Sequence, residues 1–157
     1  FQFYEKLIPL MIIKALRGEK LPIYGTGMQV RDWLYVEDHA DALIKIIQEG
    51  LVGESYNIGA SCEKTNLQVV EEICRILDEI QSPKPSNIKS FRELISFVDD
   101  RPGHDQRYAI NSDKLKKELN WQASENFESG LRKTVEWYRD KAELITYKAN
   151  RIGINRD

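Results

Sequence analysis

The sequence has few of the residues that build metal clusters and crosslinks. Its 157 residues hold two cysteines, Cys62 and Cys74, and two histidines, His39 and His104. The cysteines are not in Cys-x-x-Cys spacing, and only the two histidines could complete a metal site with them, so no metal site is expected. With no disulfide framework and no secretion signal, the reading is a reducing, cytoplasmic compartment. Long apolar runs are missing too. The longest begins at Leu7 and is broken by Lys14, well short of the ~18 residues of a membrane span. An excess of one charge is also absent: 23 Lys plus Arg face 25 Asp plus Glu, a formal net charge of −2. That balance offers no electrostatic case for nucleic acid or a charged membrane surface as partner.

What is present is globular. Apolar residues make up 41% and charged residues 31%, enough to bury a core and too apolar for a disordered chain. The chain opens on Phe1-Gln2-Phe3, without Met, straight into patterned sequence. The expectation is an internal start, a portion of a longer protein.

Hydrophobic periodicity divides the chain into short strands and helices. Leu7 to Leu16 reads as a well-buried helix closed by Gly18, with Pro9 tolerable in its first turn. Leu21 to Tyr24 reads as a strand ending at Gly25-Thr26-Gly27, and Val30 to Val36 as a second extended stretch. Glu37 to Glu49 reads as a helix with Ala40, Leu43, Ile44 and Ile47 on one stripe. Ser55 to Ile58 reads as a strand stopped by Gly59. Thr65 and Gln68 stand in capping-box spacing before a helix that places Val70, Ile73, Cys74 and Leu77 on one face. Residues 82–86 form a Pro-rich loop, Ile95 to Val98 a strand, and 99–105 a polar loop. Tyr108 to Ile110 is extended, and Asn111 or Ser112 caps a short helix through Leu119. A last helix from Phe127 carries Leu131, Thr134, Val135 and Tyr138 on one side. From 141 the periodicity fades into a tail expected to fray. The class is α/β, with mixed helices and short strands and no complete doubly wound sheet.

Two catalytic signatures are missing. Gly25-Thr26-Gly27 lacks the third glycine of Gly-x-Gly-x-x-Gly, since position 30 is Val30, and an extended run follows it, so it reads as a turn. A Tyr-x-x-x-Lys pair, in which lysine lowers the tyrosine pKa for proton transfer, is also missing: none of the 7 tyrosines has Lys four positions on. Two other clusters stand open. Arg31-Asp32-Trp33 presents either a guanidinium to a diphosphate or a surface Arg31–Asp32 contact beside a packed Trp33. The stretch Asp100-Arg101-Pro102-Gly103-His104-Asp105 is either a ligand loop, with Arg101 and His104 as donors to phosphate or ribose oxygens, or a solvated turn. His104 has no nucleophile partner and is not part of a triad.

Taken in order, these strings resemble one family. Glu5-Lys6-Leu7-Ile8-Pro9, Leu21-Pro22-Ile23-Tyr24-Gly25, Gln29-Val30-Arg31-Asp32-Trp33-Leu34-Tyr35-Val36, Tyr56-Asn57-Ile58-Gly59, Lys64-Thr65-Asn66 and residues 100–105 follow the order and approximate spacing of dTDP-glucose 4,6-dehydratases. Arg107-Tyr108-Ala109-Ile110 and the run from Gly130 to Tyr138 continue the match. Phe1 and Tyr4 depart from the family's usual Tyr and Pro. The resemblance implies the C-terminal sugar-nucleotide-binding lobe of an extended short-chain dehydrogenase, without the complete Rossmann sheet. By it, residues 1–140 are the substrate-binding portion, with about 30–60 packing on a Rossmann half outside this chain, and 141–157 are a tail. The implied reaction takes dTDP-glucose to dTDP-4-keto-6-deoxyglucose and water, with NAD in the complete enzyme. The implied lining of the nucleotide-sugar site is Lys6, Leu7, Pro22, Ile23, Tyr24, Arg31, Asn66, Asp100, Arg101, Pro102, Gly103 and His104. No catalytic and no cofactor-binding residue is expected in this chain, nor NAD bound to it alone. The complete enzyme is expected to be a homodimer, and the isolated chain inactive and self-associating. A UDP-sugar decarboxylase or epimerase of the same superfamily is the nearest alternative; a noncatalytic nucleotide-binding module is the other.

Overall fold

The computed structural model describes residues 5–142. The departures at Phe1 and Tyr4 and nearly all of the 141–157 tail lie outside the described residues. The described residues divide into two compact units: residues 5–22, 70–96 and 132–142 form the first, and residues 23–69 and 97–131 the second.

The first unit begins with α1 (Leu7–Leu16). Its girth is apolar, and Met11, Ile12, Ile13 and Ala15 are all buried. Pro9 lies in the first turn, where its missing N–H costs no helical hydrogen bond. Gly18 follows with φ 69°, the left-handed turn that closes helices at glycine. Most of α3 (Asn66–Ile80) belongs here. Its expected face, Val70, Ile73, Cys74 and Leu77, is buried, together with Ile76. After α3, Asp78 organises the return of the chain. It accepts from Ser90 Oγ at 2.6 Å and from the Phe91 amide at 3.1 Å, and it pairs with Lys84 at 2.8 Å. Residues 85–87 and 91–94 form single 3-10 turns, the second opened by a Ser90–Glu93 capping box that seats Phe91 in the core. The later part of α5 (Phe127–Asp140) buries Val135 and Tyr138, and Arg132 pairs with Glu79 of α3.

The strands β1 (Leu21–Tyr24) and β4 (Ile95–Val98) form a two-stranded sheet. The second unit holds a three-stranded sheet, ordered β3-β2-β5, from β2 (Val30–Asp32), β3 (Glu63–Thr65) and β5 (Arg107–Tyr108). Strand β2 runs antiparallel to β3, with Val30 opposite Thr65 and Asp32 opposite Glu63. It runs parallel to β5, with Val30 opposite Arg107. Of the extended stretch expected from Val30 to Val36, only Val30–Asp32 is laddered; residues 33–35 are irregular and Val36 is the first residue of α2 (Val36–Glu49).

The strand expected at Ser55 to Ile58 does not form a ladder; those residues are irregular, and the strand in this region is β3, at 63–65. The reason is physical. A strand is defined by a hydrogen-bonded neighbour, and residues 55–58 have the apolar alternation without that neighbour in the described residues. Tyr56 and Ile58 instead pack on a core of Ala42, Leu115, Leu119 and Trp121. Replacing Leu115, fully buried there, with Ala is expected to cost about 2–5 kcal/mol.

Helix α2 turns its Ala42 side inward, with Ile46 packed beside it. Its expected apolar stripe faces outward: Leu43 is 47%, Ile44 52% and Ile47 83% exposed. Buried Asp38 anchors the helix start by accepting from the Ser124 amide and hydroxyl and from the Glu125 amide, at 3.1, 2.5 and 3.1 Å. At α4 (Asp113–Leu119) Ser112 holds the N-cap position but its Oγ donates to the Gly59 carbonyl, and the Asp113 amide is met instead by Asn111 Oδ1 at 2.8 Å.

Candidate functional site

The β1–β2 connection determines where the site can form. Gly25 and Gly27 have φ 56° and 72°, and Gly27 N–H donates to the Tyr24 carbonyl at 3.0 Å. A Cβ on Gly27 would meet Ile23 Cγ2 at 2.6 Å, and one on Gly25 would meet Asp100 Oδ2 at 3.0 Å. These glycines make a tight turn against the start of α3 and the 99–105 loop. They do not open a cradle for a pyrophosphate, and a strand follows them in place of a helix. The residues present therefore do not fit the dinucleotide fingerprint.

Around this turn five of the expected site residues, Tyr24, Asn66, Asp100, Arg101 and His104, come together. Asp100 Oδ1 accepts from His104 Nδ1 at 2.7 Å and from the Arg101 amide at 2.9 Å. Its Oδ2 accepts from Gln29 Nε2 at 2.8 Å. Gln29 is 3% exposed. Its Oε1 accepts from Asn66 Nδ2 at 3.5 Å, its Nε2 also reaches the Tyr24 carbonyl at 3.4 Å, and its own carbonyl accepts from the Asn66 amide at 3.0 Å. The Tyr24 ring stands edge-on to the His104 ring, with centroids 6.4 Å apart.

The electrostatics follow from these contacts. The hydrogen bond from His104, aided by those from the Arg101 amide and Gln29, holds the Asp100 carboxyl below its ordinary range. An ionised carboxylate only accepts, so the Nδ1 of His104 carries the proton and its Nε2 is left for other partners. Both oxygens of Asp100 are engaged, which makes it an orienting group. It does not present a free acceptor.

The cations form the second feature. Arg31 Nη1 donates to the Val30 carbonyl at 2.7 Å and Nη2 to the Asp105 carbonyl at 2.9 Å, with the guanidinium 4.5 Å from the Tyr108 ring centroid. The Tyr108 hydroxyl donates to the Asp105 carboxylate. That bond and burial raise the phenol's pKa, while the charges of Arg31 and Arg101 pull it down to a lesser degree. Among the described residues, Arg17, Arg75, Arg92, Arg107, Arg132 and Arg139 each pair with a carboxylate. Arg31 and Arg101 are the two that do not. The contact expected as an alternative, Arg31 with Asp32, does not form, because neighbours on a strand point to opposite faces. Asp32 instead accepts from the Cys62 amide at 2.6 Å, leaving Oδ2 buried without a partner.

The remaining expected residues are placed differently. Pro102 and Gly103 form the exposed tip of the loop. Ile23 is 1% exposed, so its side chain belongs to the core. Lys6, exposed at the N-cap of α1, and Leu7 and Pro22, both half-buried, belong to the first unit. Two residues of this site were not expected as such, Gln29 and Tyr108. Both sit inside the quoted strings, but a Gln between two apolar residues looks like any surface amide until its burial is known. No cluster that could hold a metal ion occurs among the described residues.

Comparison with known proteins agrees with the family resemblance. Residues 1–134 match the family described as GDP-mannose 4,6 dehydratase. A dTDP-glucose 4,6-dehydratase from Shigella flexneri is 61% identical over 138 residues, 88% of this chain and 37% of that protein. The structure of a dTDP-glucose 4,6-dehydratase from Bacillus anthracis in complex with NAD superposes with a TM-score of 0.78 at 47% identity, covering 91% of this chain and 42% of that one. A dTDP-glucose 4,6-dehydratase from Streptomyces venezuelae, with NAD and a TDP ligand bound, gives 0.77 at 34% identity, covering 92% and 41%. The chain thus spans about two fifths of the length of these relatives.

Proposed function

The chain belongs to the GDP-mannose 4,6 dehydratase family, and we propose that it is the nucleotide-sugar-binding part of a dTDP-glucose 4,6-dehydratase, a lyase that converts dTDP-glucose to dTDP-4-keto-6-deoxyglucose and water. One observation carries the reading. In a chain whose other described arginines are all ion-paired, Arg31 and Arg101 have no carboxylate partner, and Arg31 lies over the Tyr108 ring at 4.5 Å. Exposed Arg101 and half-buried Arg31 thus leave planar, bidentate donors available to a ligand, and a diphosphate matches them. Asn66 at the start of α3 adds an amide next to a helix N-terminus, where negative charge is stabilised. Tyr24, 49% exposed, offers a flat face to a base.

The complete protein uses NAD, which accepts hydride from the sugar and returns it. This chain carries neither the glycine fingerprint nor a Tyr-x-x-x-Lys pair, so its own residues bind and orient the nucleotide sugar and do not move the hydride. Residues 30–60 pack on the Rossmann half; the outward apolar stripe of α2 and the unladdered residues 55–58 support that reading. The complete enzyme is a cytoplasmic homodimer. Among the described residues no helix is long and apolar enough to cross a membrane.

The test is calorimetric titration of the chain with dTDP, UDP, GDP and NAD, alongside an assay for 4-keto product from dTDP-glucose and NAD. Saturable dTDP binding, no NAD binding and no turnover are expected. A chain that ignores dTDP, or that turns over dTDP-glucose at an ordinary enzymatic rate of ~1–1000 s⁻¹, would overturn the assignment.

A further inference from the structure

Backbone bonds bring the end of β1, the start of α3 and the strand before the 99–105 loop together, from the Leu67 amide to the Gly27 carbonyl at 3.0 Å and from the Gly25 amide to the Val98 carbonyl at 2.8 Å. What links the side chains of Asn66 and Asp100 is the side chain of Gln29, which is not itself positioned to line a ligand site because it is 3% exposed. Its amide does two chemically different things. The Nε2 group donates to Asp100 Oδ2 at 2.8 Å and leans on the Tyr24 carbonyl at 3.4 Å. The Oε1 atom accepts from Asn66 Nδ2 at 3.5 Å.

The direction of this relay is forced. A carboxylate only accepts, so Gln29 must turn its NH₂ to Asp100. Its carbonyl oxygen then faces Asn66, and Asn66 must answer with an N–H. That leaves the Asn66 Oδ1 and its second N–H free of partners among the described residues. At the other end, Asp100 passes the constraint to His104 through the 2.7 Å contact at Nδ1. No other side chain serves both ends: Glu would set a carboxylate against Asp100, Asn is too short, and an apolar residue would leave Asp100 Oδ2 short of a donor.

We propose that Gln29 is a positioning residue for the nucleotide-sugar site, fixing through one amide the orientation of the Asn66 side chain and, by way of Asp100, that of the His104 ring. The proposal rests on the reading that the site takes a nucleotide diphosphate sugar. It makes Asn66 and His104 a coupled pair: a change that turns one of them is felt at the other, though they do not touch.

The experiment is a role exchange in the chain itself, using Gln29→Glu, Asp100→Asn and the double variant. Each is titrated with dTDP by calorimetry, and the His104 imidazole is followed by NMR in the ligand-free chain. In Gln29→Glu two carboxylates face one another. Affinity for dTDP should fall roughly tenfold to a hundredfold, the range of one charge-assisted hydrogen bond, and the His104 resonances should move. In the double variant the amide introduced at position 100 donates to the carboxylate introduced at position 29. That carboxylate still accepts from Asn66, and the net charge of the pair is conserved. The double variant should therefore bind dTDP more tightly than either single variant, a pattern that a residue serving only the core would not produce. A folded Gln29→Glu that binds like wild type overturns the proposal, and so does a double variant no better than its parents. If Gln29→Glu does not fold, the comparison of Asp100→Asn with the double variant decides the same point. If the wild-type chain itself ignores dTDP, the reading of the site fails, and unmoved His104 resonances in Gln29→Glu would then overturn the relay separately.

Discussion

Arg31 and Tyr108 stand directly opposite one another in the parallel β2–β5 register, with the guanidinium 4.5 Å from the ring centroid. The cation is held by that ring and by the carbonyls of Val30 and Asp105, none of which neutralises its charge.

The first prediction follows from that open charge. Replacing Arg31 or Arg101 with Ala should weaken dTDP affinity by about 1.5–3 kcal/mol, as expected for hydrogen bonds to a charged group. Arg31→Lys should recover only part of this, because an ammonium neither forks onto a diphosphate nor stacks flat on Tyr108. Calorimetry on the three variants is the check; unchanged affinity in both Ala variants would remove the diphosphate from this position.

The second concerns acid. His104, the Arg101 amide and Gln29 hold the Asp100 carboxyl below its ordinary value of 3.8. A folded pKa below the unfolded one stabilises the fold above the unfolded value, and the contribution disappears as pH falls through the folded value. The stability gap between wild type and Asp100→Asn should therefore be level from neutrality down to roughly pH 5 and close at pH values below about 4. Urea melts across that range measure it. A gap that widens on acidification would contradict the arrangement.

Cys74 supplies the third. Burial pushes its thiol up to about 12, and the side chain is 1% exposed. Cys62, half-buried, is raised by burial to a lesser degree. A thiol reagent at pH 8 should label Cys62 slowly and Cys74 only when urea opens the fold, since the thiolate is the reacting form. Because the folded pKa of Cys74 lies above its unfolded one, the stability it contributes is whole below about pH 8.5 and fades as pH climbs toward 12. Mass spectrometry of labelled peptides reads the order of reaction.

The fourth addresses the α2 face. Leu43, Ile44 and Ile47, joined by Leu51 at 66% and Val52 at 104% exposure, present apolar side chains to solvent, and such patches drive association. The chain alone should self-associate in sedimentation runs over a concentration series, and Ile47→Lys should push it toward one 18.3 kDa species. Wild type that remains at that mass at high concentration would show that the face needs no cover.

Much of the architecture was legible in sequence because it depends on local chemistry. The Thr65–Gln68 capping box forms as its spacing implied, with reciprocal bonds of 2.8 and 3.1 Å. The face from Val70 to Leu77 is buried as its period required. Helix α1 stops where Gly18 can turn left-handed. The ordered motif strings were enough to identify the family, since each string alone is common and their succession is not.

Tertiary structure decided what local pattern cannot carry. Residues 55–58 have strand alternation but no ladder, because pairing depends on a neighbour distant in sequence. The stripe of α2 has helical period, yet period does not say which side meets this chain's core, and Ala42 does so in place of Leu43 and Ile44. Arg31 and Arg101 looked like any other arginines until the pairing of the rest left them apart. Gln29 acquired its place only when the chain brought Asp100, 71 positions away, to 2.8 Å from its amide. Sequence by itself determined the helices and the family, through short-range propensity and ordered motifs. The orientation of the site belongs to long-range hydrogen bonds, whose two ends the sequence lists without saying that they meet.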